Sequence, residues 1–324
     1  MPLIEHRKGY NPSLPFRFGH VSTIVPNLLR RQDRPGYKRE RVELEDGDFI
    51  DLDYVDQGAE NTILMLHGLE GSSEAVYVKG MARVFLERGW NFYVMNYRGC
   101  SGEPNRLLRA YHSGATEDVR SVIEWIRTQK EKESLHLIGV SLGGNLTLKY
   151  LGEEAENAVG FIKRAMAIST PIALFESIDG LERSENIAYQ MRFLRRLNEK
   201  AKGKRAIMEE AGFDLSVIRK MRSLREFDEW YTAPVHGFDD AQDYYHKASS
   251  LYVLDKIAVP TLLVSAKDDS FLTPLCYPTE IARDHDLFYF EETLYGGHVG
   301  FVNGSLNGMN WIEGRCLQFF EEDE

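Results

Sequence analysis

Apolar and polar positions alternate in one stretch of the chain and cluster in the rest. Residues 37–56, "YKRERVELEDGDFIDLDYVD", put Val42 and Leu44 on one face, then Ile50, Leu52 and Tyr54 after Asp46-Gly47. A period of two predicts half-buried strands, and Asp-Gly between two such runs predicts a hairpin. The pattern then changes to short, continuous apolar runs: "TILMLHG", "NFYVMNY", "LHLIG", "RAMAIST", "PTLLVSA" and "LFYFEE". Runs of this kind are expected of strands buried on both faces. Helical patterns separate them. The clearest is "ATEDVRSVIEWIRTQK", where Val119, Val122, Ile123 and Ile126 form one stripe behind Thr116, Glu117 and Asp118. Others are expected at 75–88, in "SLGGNLTLKYLGE" and in the closing "NGMNWIEGRCLQFFEE".

Strands alternating with helices imply an α/β fold with a mostly parallel central sheet covered on both faces. The hairpin would add antiparallel edge strands. We expect a single domain over 1–324. Residues 1–36 would form an N-terminal arm with a helical turn in "STIVPNLLRRQ". The stretch from 170 to 259 is too long for an ordinary crossover, so 171–258 is expected to be a helical cap insertion. Two stripes mark it: Ile187, Met191, Leu194 and Leu197, and a second helix in "DLSVIRKMRSLREFDEW".

The net charge of −11, from 39 basic and 50 acidic residues in 324, argues against nucleic acid as a partner. The cap breaks this trend. Residues 187–225 hold 11 basic and 4 acidic side chains, a local +7. This is either a solvated helical surface or a patch that attracts an anionic substrate or gives weak peripheral contact with an anionic membrane. The acidic "EEDE" terminus is expected to be a frayed tail. Cys100, Cys276 and Cys316 show no metal-ligand spacing and are expected to be free thiols in a reducing, cytoplasmic setting. The N-terminal residues lack the apolar core of a signal peptide. No run of about 18 apolar residues exists, so no transmembrane helix is expected.

Candidate chemistry centres on one serine. Gly139-Val140-Ser141-Leu142-Gly143 fits G-x-S-x-G and lies between an expected strand and an expected helix, the context that this nucleophile motif requires. A serine hydroxyl needs a base, and in this fold the order is serine, acid, histidine. "PTLLVSAKDDSFLTP" offers Asp268 and Asp269 after a late strand. Asp269 is favoured because it stands closer to Pro274, and Asp268 would then be a loop cap or supporting partner. "LFYFEETLYGGHVGF" offers His298 as the base. The oxyanion needs two backbone N–H donors, expected from Leu142 and from Leu69, which follows His67-Gly68. His67, Gly68, Arg98 and Arg106 are candidate pocket residues. The two arginines would otherwise organise the glycine-rich loop at the end of the 91–97 strand. The chemistry expected is acyl transfer through an acyl-enzyme, on a small-molecule ester or lipid, with no metal and no organic cofactor. Acyltransferase or thioesterase activity would use the same residues, and a non-catalytic binding protein on this scaffold is the remaining alternative.

The segments "HGLEGSS", "NYRGCSGEPNR", "YHSGATEDVR", "GVSLGGN", "HGFDDAQDYY", "AKDDSF" and "GGHVGF" closely resemble the YheT-type branch of the α/β-hydrolase superfamily. The similarity runs from Gly19 to Phe301. It implies a serine hydrolase of the carboxylesterase kind, with the triad carried onto Ser141, Asp269 and His298. Eukaryotic relatives of this branch act on phospholipids or monoacylglycerols. The cap matches poorly, so substrate does not carry over.

Overall fold

The computed structural model of the protein describes Ile4 and residues 10–321. The rest of the N-terminal arm and the last three residues of the acidic tail lie outside the described residues. Eight strands form one sheet: β1 (Lys38–Glu43), β2 (Phe49–Val55), β3 (Thr62–Leu66), β4 (Asn91–Asn96), β5 (Leu135–Val140), β6 (Ile162–Ile168), β7 (Thr261–Ala266) and β8 (Phe288–Thr293). Their order is β1-β2-β4-β3-β5-β6-β7-β8. The hairpin pairs β1 with β2, and β2 meets β4, both antiparallel. All other pairs are parallel.

The helices are α1 (Gly19–Leu29), α2 (Val76–Glu87), α3 (Thr116–Gln129), α4 (Leu142–Glu154), α5 (Leu174–Leu181), α6 (Ile187–Gly203), α7 (Arg205–Glu210), α8 (Leu224–Phe227), α9 (Ala233–His236), α10 (Ala241–Ala248), α11 (Thr279–Asp284) and α12 (Trp311–Glu321). Alternate residues of each central strand enter different cores. Leu64 and Leu66 of β3 pack with α3 and α4 through Val119, Val122 and Leu146. Ile63 and Met65 pack on the other face with α2 and α12 through Met81, Phe85 and Phe320. A strand covered on both sides has no polar face, which is why its sequence reads as a continuous apolar run.

Residues after β6 build the helical layer α5–α10, with an apolar cluster of its own. Two expectations are corrected here. The buried side of α6 is Gln190, Leu194 and Ala201, while Ile187 and Met191 are 59 % and 53 % exposed. The expected second helix is broken into a 3-10 turn (Ile218–Lys220), α8 and a π turn (Asp228–Thr232). Its buried residues are Leu215, Ile218, Met221, Leu224 and Phe227. They recur every third position, the period of a 3-10 segment rather than of an α-helix, so short turns bury them better.

The loop after β4 is anchored by a buried ion cluster. Arg98 Nε and Nη2 donate to Asp118 at 2.8 and 2.6 Å, and Nη1 donates to Asp46 at 2.7 Å and Asp48 at 3.0 Å. Burial pushes the Asp118 carboxyl up, and the Arg98 guanidinium opposes that shift. Removing one partner of such a cluster leaves the other charges buried and uncompensated. Arg98→Met is therefore expected to lower unfolding free energy in urea by about 3–5 kcal/mol. A loss under about 1 kcal/mol would mean that water, not Arg98, satisfies these carboxylates.

Candidate active site

The parallel strands bring the ends of β3, β5, β7 and β8 to one edge of the sheet, where open α/β sheets bind ligands. Ser141 follows β5 directly, at φ 54° and ψ −119°. Its N–H donates to the Ile168 carbonyl of the neighbouring strand at 2.8 Å, and its carbonyl accepts the first bond of α4 from Asn145. Positive φ is costly for a residue with a side chain, so surrounding contacts must hold it. The glycines make those contacts possible. A Cβ at Gly143 would lie 2.2 Å from the Leu66 carbonyl of β3, and one at Gly139 would lie 2.3 Å from the Gly143 carbonyl.

His298 Nε2 lies 2.9 Å from Ser141 Oγ, and Nδ1 lies 2.8 Å from Asp269 Oδ2. Asp269 is buried, and its other oxygen accepts from the Phe271 amide at 2.9 Å. The Phe271 ring packs on the His298 ring, 4.3 Å between centroids. The histidine loop is held from both sides. The Thr23 hydroxyl of α1 accepts from the His298 amide, and Asp268 accepts from the Gly297 amide, each at 2.8 Å. Asp268 thus braces the loop instead of facing the ring. Burial first, and the charge of Asp269 further, push its carboxyl up.

At the end of β3, neighbouring amides are engaged by tyrosines. Gly68 N–H donates to Tyr77 at 2.8 Å and Glu70 N–H donates to Tyr111 at 3.0 Å. The Leu69 amide between them, like that of Leu142 at the start of α4, meets no acceptor among the described residues. Glu70 has φ 56° and four anchoring bonds in all. Beyond its amide, its carboxylate accepts from Tyr111 at 2.7 Å and Lys200 at 2.8 Å, and its carbonyl accepts from Arg196 at 2.6 Å. Two cations of α6 therefore clamp the residue next to Leu69. Sequence reasoning missed this role for Glu70. The available signal was an acid directly after the expected donor in "HGLEG".

A cavity of about 510 Å³ opens between the strand ends and the helical layer, lined by Ser141, Leu142 and His298 at the sheet and by residues such as Leu69, Ile178 and Phe227 elsewhere. Of the four candidate pocket residues, Arg98 alone reaches it, with its donors committed to carboxylates. His67 is buried against the Tyr97 ring, its Nδ1 2.8 Å from the Gly68 carbonyl, and burial pushes its imidazole down to about 3. A Cβ at Gly68 would lie 3.3 Å from Ser141 Cβ, so the glycine lets the two turns approach. Arg106 is outside, paired with Glu43 and stacked over Phe49. Cys100 lines the cavity with Lys200 Nζ 2.9 Å from its sulfur, and burial pushes the thiol up to about 11. All three cysteines are free and buried. Among the described residues no group of three or more His, Cys, Asp or Glu side chains is placed to hold a metal ion. None of their helices is long and apolar enough to cross a membrane.

The sheet order, the strained serine turn and the histidine beside it define a class, and comparison with known proteins agrees. The family model described as the α/β hydrolase fold matches residues 61–303, and the chain belongs to that family. It is 36 % identical over 304 residues to the "Putative esterase YheT" of Escherichia coli (strain K12), covering 91 % of this chain and 88 % of that one. It is 31 % identical over 291 residues to "Phospholipase ABHD3" of Mus musculus, covering 87 % of this chain and 70 % of that one. Among solved structures, an esterase of Pyrococcus furiosus aligns with a TM-score of 0.59 at 16 % identity, over 88 % of this chain and 90 % of that one. This last likeness concerns the fold.

Among the titrating groups that face the cavity from the helical layer, Asp228 is the carboxyl that burial shifts most. Asp228 accepts from Thr232 at 2.7 Å and Tyr245 at 2.8 Å, and burial pushes its carboxyl up to about 6. A carboxyl that binds its proton more tightly when folded contributes stability at low pH, lost as the pH rises through about 6. Asp228→Asn mimics the protonated form. Its stability relative to the native chain should therefore improve by about 1 kcal/mol between pH 5 and pH 8. A difference in urea midpoint that does not change with pH would remove Asp228 as the source.

Proposed function

We propose that this chain is a serine hydrolase of carboxylic esters with short to medium acyl or lipid-like substrates. The observation that carries the reading is the line from Asp269 through His298 to Ser141, at 2.8 and 2.9 Å, in a cavity also lined by Leu69 and Leu142, whose amides meet no acceptor among the described residues. Ser141 attacks the acyl carbonyl while Nε2 of His298 takes its proton. Asp269 holds the ring and stabilises the imidazolium. The Leu69 and Leu142 amides receive the oxyanion of the tetrahedral intermediate. His298 then protonates the leaving alcohol, the acyl-serine forms, and water activated by the same histidine releases the acid.

Supporting features fit this sequence of events. The N-terminus of α4 points at the seryl oxygen, where it favours developing negative charge. The Glu70 network fixes the Leu69 amide through α6, so the helical layer both walls the cavity and steadies one oxyanion donor. The names of the two relatives, an esterase and a phospholipase, both refer to hydrolysis of ester bonds. Acyl transfer and thioester cleavage pass through the same acyl-serine and are separated by the leaving group and acceptor that sustain turnover.

Ser141→Ala keeps the backbone of the turn and removes the nucleophile. Hydrolysis of p-nitrophenyl esters should fall by about 10⁴-fold or more, with little change in unfolding midpoint. Turnover that persists in this variant would place the chemistry on another group.

A further inference from the structure

Helix α1 is built inside out. Its polar Ser22 and Thr23 are buried against the histidine loop. Gly300 packs so closely there that a Cβ on it would lie 2.1 Å from the Ser22 carbonyl. Its outer face carries Ile24, Leu28 and Leu29 at 41, 69 and 61 % exposure, preceded by Phe18 at 63 % and Leu14 at 70 %. Helix α6 adjoins it, with the His20 ring stacked on Tyr189 at 5.9 Å and Nδ1 3.1 Å from its hydroxyl. The first turns of α6 add exposed Ile187 and Met191. Seven of the twelve exposed large apolar side chains among the described residues thus fall in these two segments. Scattered apolar side chains are ordinary on a surface, whereas a concentration of them marks a contact site.

Charge selects the occupant. Residues 14–31 hold no acid and present Arg17 and Arg31 at the surface, Arg30 being buried against Glu313, and α6 presents Arg192 and Arg195 before its first acid, Glu199, while Arg196 reaches the Glu70 carbonyl. An apolar stripe edged by guanidinium groups, on a chain of net charge −11, is complementary to an anionic lipid surface. Two copies of the same face would set like charges against each other.

We propose that the outer face of α1, with the first turns of α6, docks this protein on anionic phospholipid bilayers, its apolar side chains entering the headgroup boundary. The inference is independent of the esterase reading, since adsorption needs no turnover. Flotation of the full chain with vesicles of phosphatidylcholine, with and without phosphatidylglycerol, tests it. We expect at least tenfold more protein on the anionic vesicles, falling as salt is raised. Leu28→Asp and Arg192→Glu should each cut that binding about tenfold, and Leu28→Phe should retain it. Soluble p-nitrophenyl ester turnover and unfolding midpoint serve as folding controls, because neither residue touches the cavity or the triad. Absence of flotation, equal binding to both vesicles, or a Leu28→Asp variant that binds like the native chain would overturn the proposal. So would a concentration-dependent dimer in light scattering that Leu28→Asp dissolves, which would assign the face to self-association.

Discussion

The contact between the serine turn and the end of β3 constrains everything around it. The chain passes from β5 into α4 so close to the Leu66 carbonyl that no side chain fits at Gly143. Parallel pairing of β3 with β5 sets Leu66 opposite Gly139, so the loop that follows β3 must run past Ser141. Leu69, Leu142 and Ser141 line one cavity as a result, and in the proposed mechanism the two amides serve the oxygen that develops there. The strain at Ser141 persists because its amide is bonded to β6 and its carbonyl begins α4.

The other partners arrive by different means. Asp269 needs only the end of β7, but His298 sits in a loop with several residues at positive φ, including Gly297, Val299 and Phe301. Such a loop does not hold itself. Thr23 of α1, Asp268 and Ser169 each take one of its amides. The inverted polarity of α1 has its reason here: its hydroxyl side serves the histidine loop, which leaves its apolar side outward. The α6 cations do a parallel service for Glu70. Two surface elements thus position groups at the centre while presenting a cationic, apolar outer surface.

Most of the sheet was legible in the residues, because strands covered on both faces leave uninterrupted apolar runs and a hairpin leaves a period of two. The serine turn was legible because glycine is required where a backbone approaches. What failed to show was packing decided by distant partners. Nothing in "DLSVIRKMRSLREFDEW" announces a break until the spacing of three is matched to buried positions. Ile187 and Met191 read as the inner stripe of α6, yet its rotation is set by Arg196 and Lys200 reaching Glu70. Asp268 and Asp269 are neighbours with similar surroundings in sequence, and only the path of the chain after β7 turns one to the ring and the other to Gly297. Arg98 and Arg106 share one loop, but their separate burial follows from the fold of the hairpin beneath them.

The proposed chemistry requires one seryl oxygen, one imidazole and two main-chain donors to converge on a single acyl group. The most direct measurement is a crystal structure of the protein after reaction with a fluorophosphonate, whose tetrahedral phosphorus mimics the intermediate. The expected result is a covalent bond to Ser141 Oγ, with the phosphoryl oxygen within hydrogen-bond distance, about 2.7–3.1 Å, of both the Leu69 and Leu142 nitrogens. A phosphoryl oxygen turned away from these amides, or an adduct on any other residue, would contradict it.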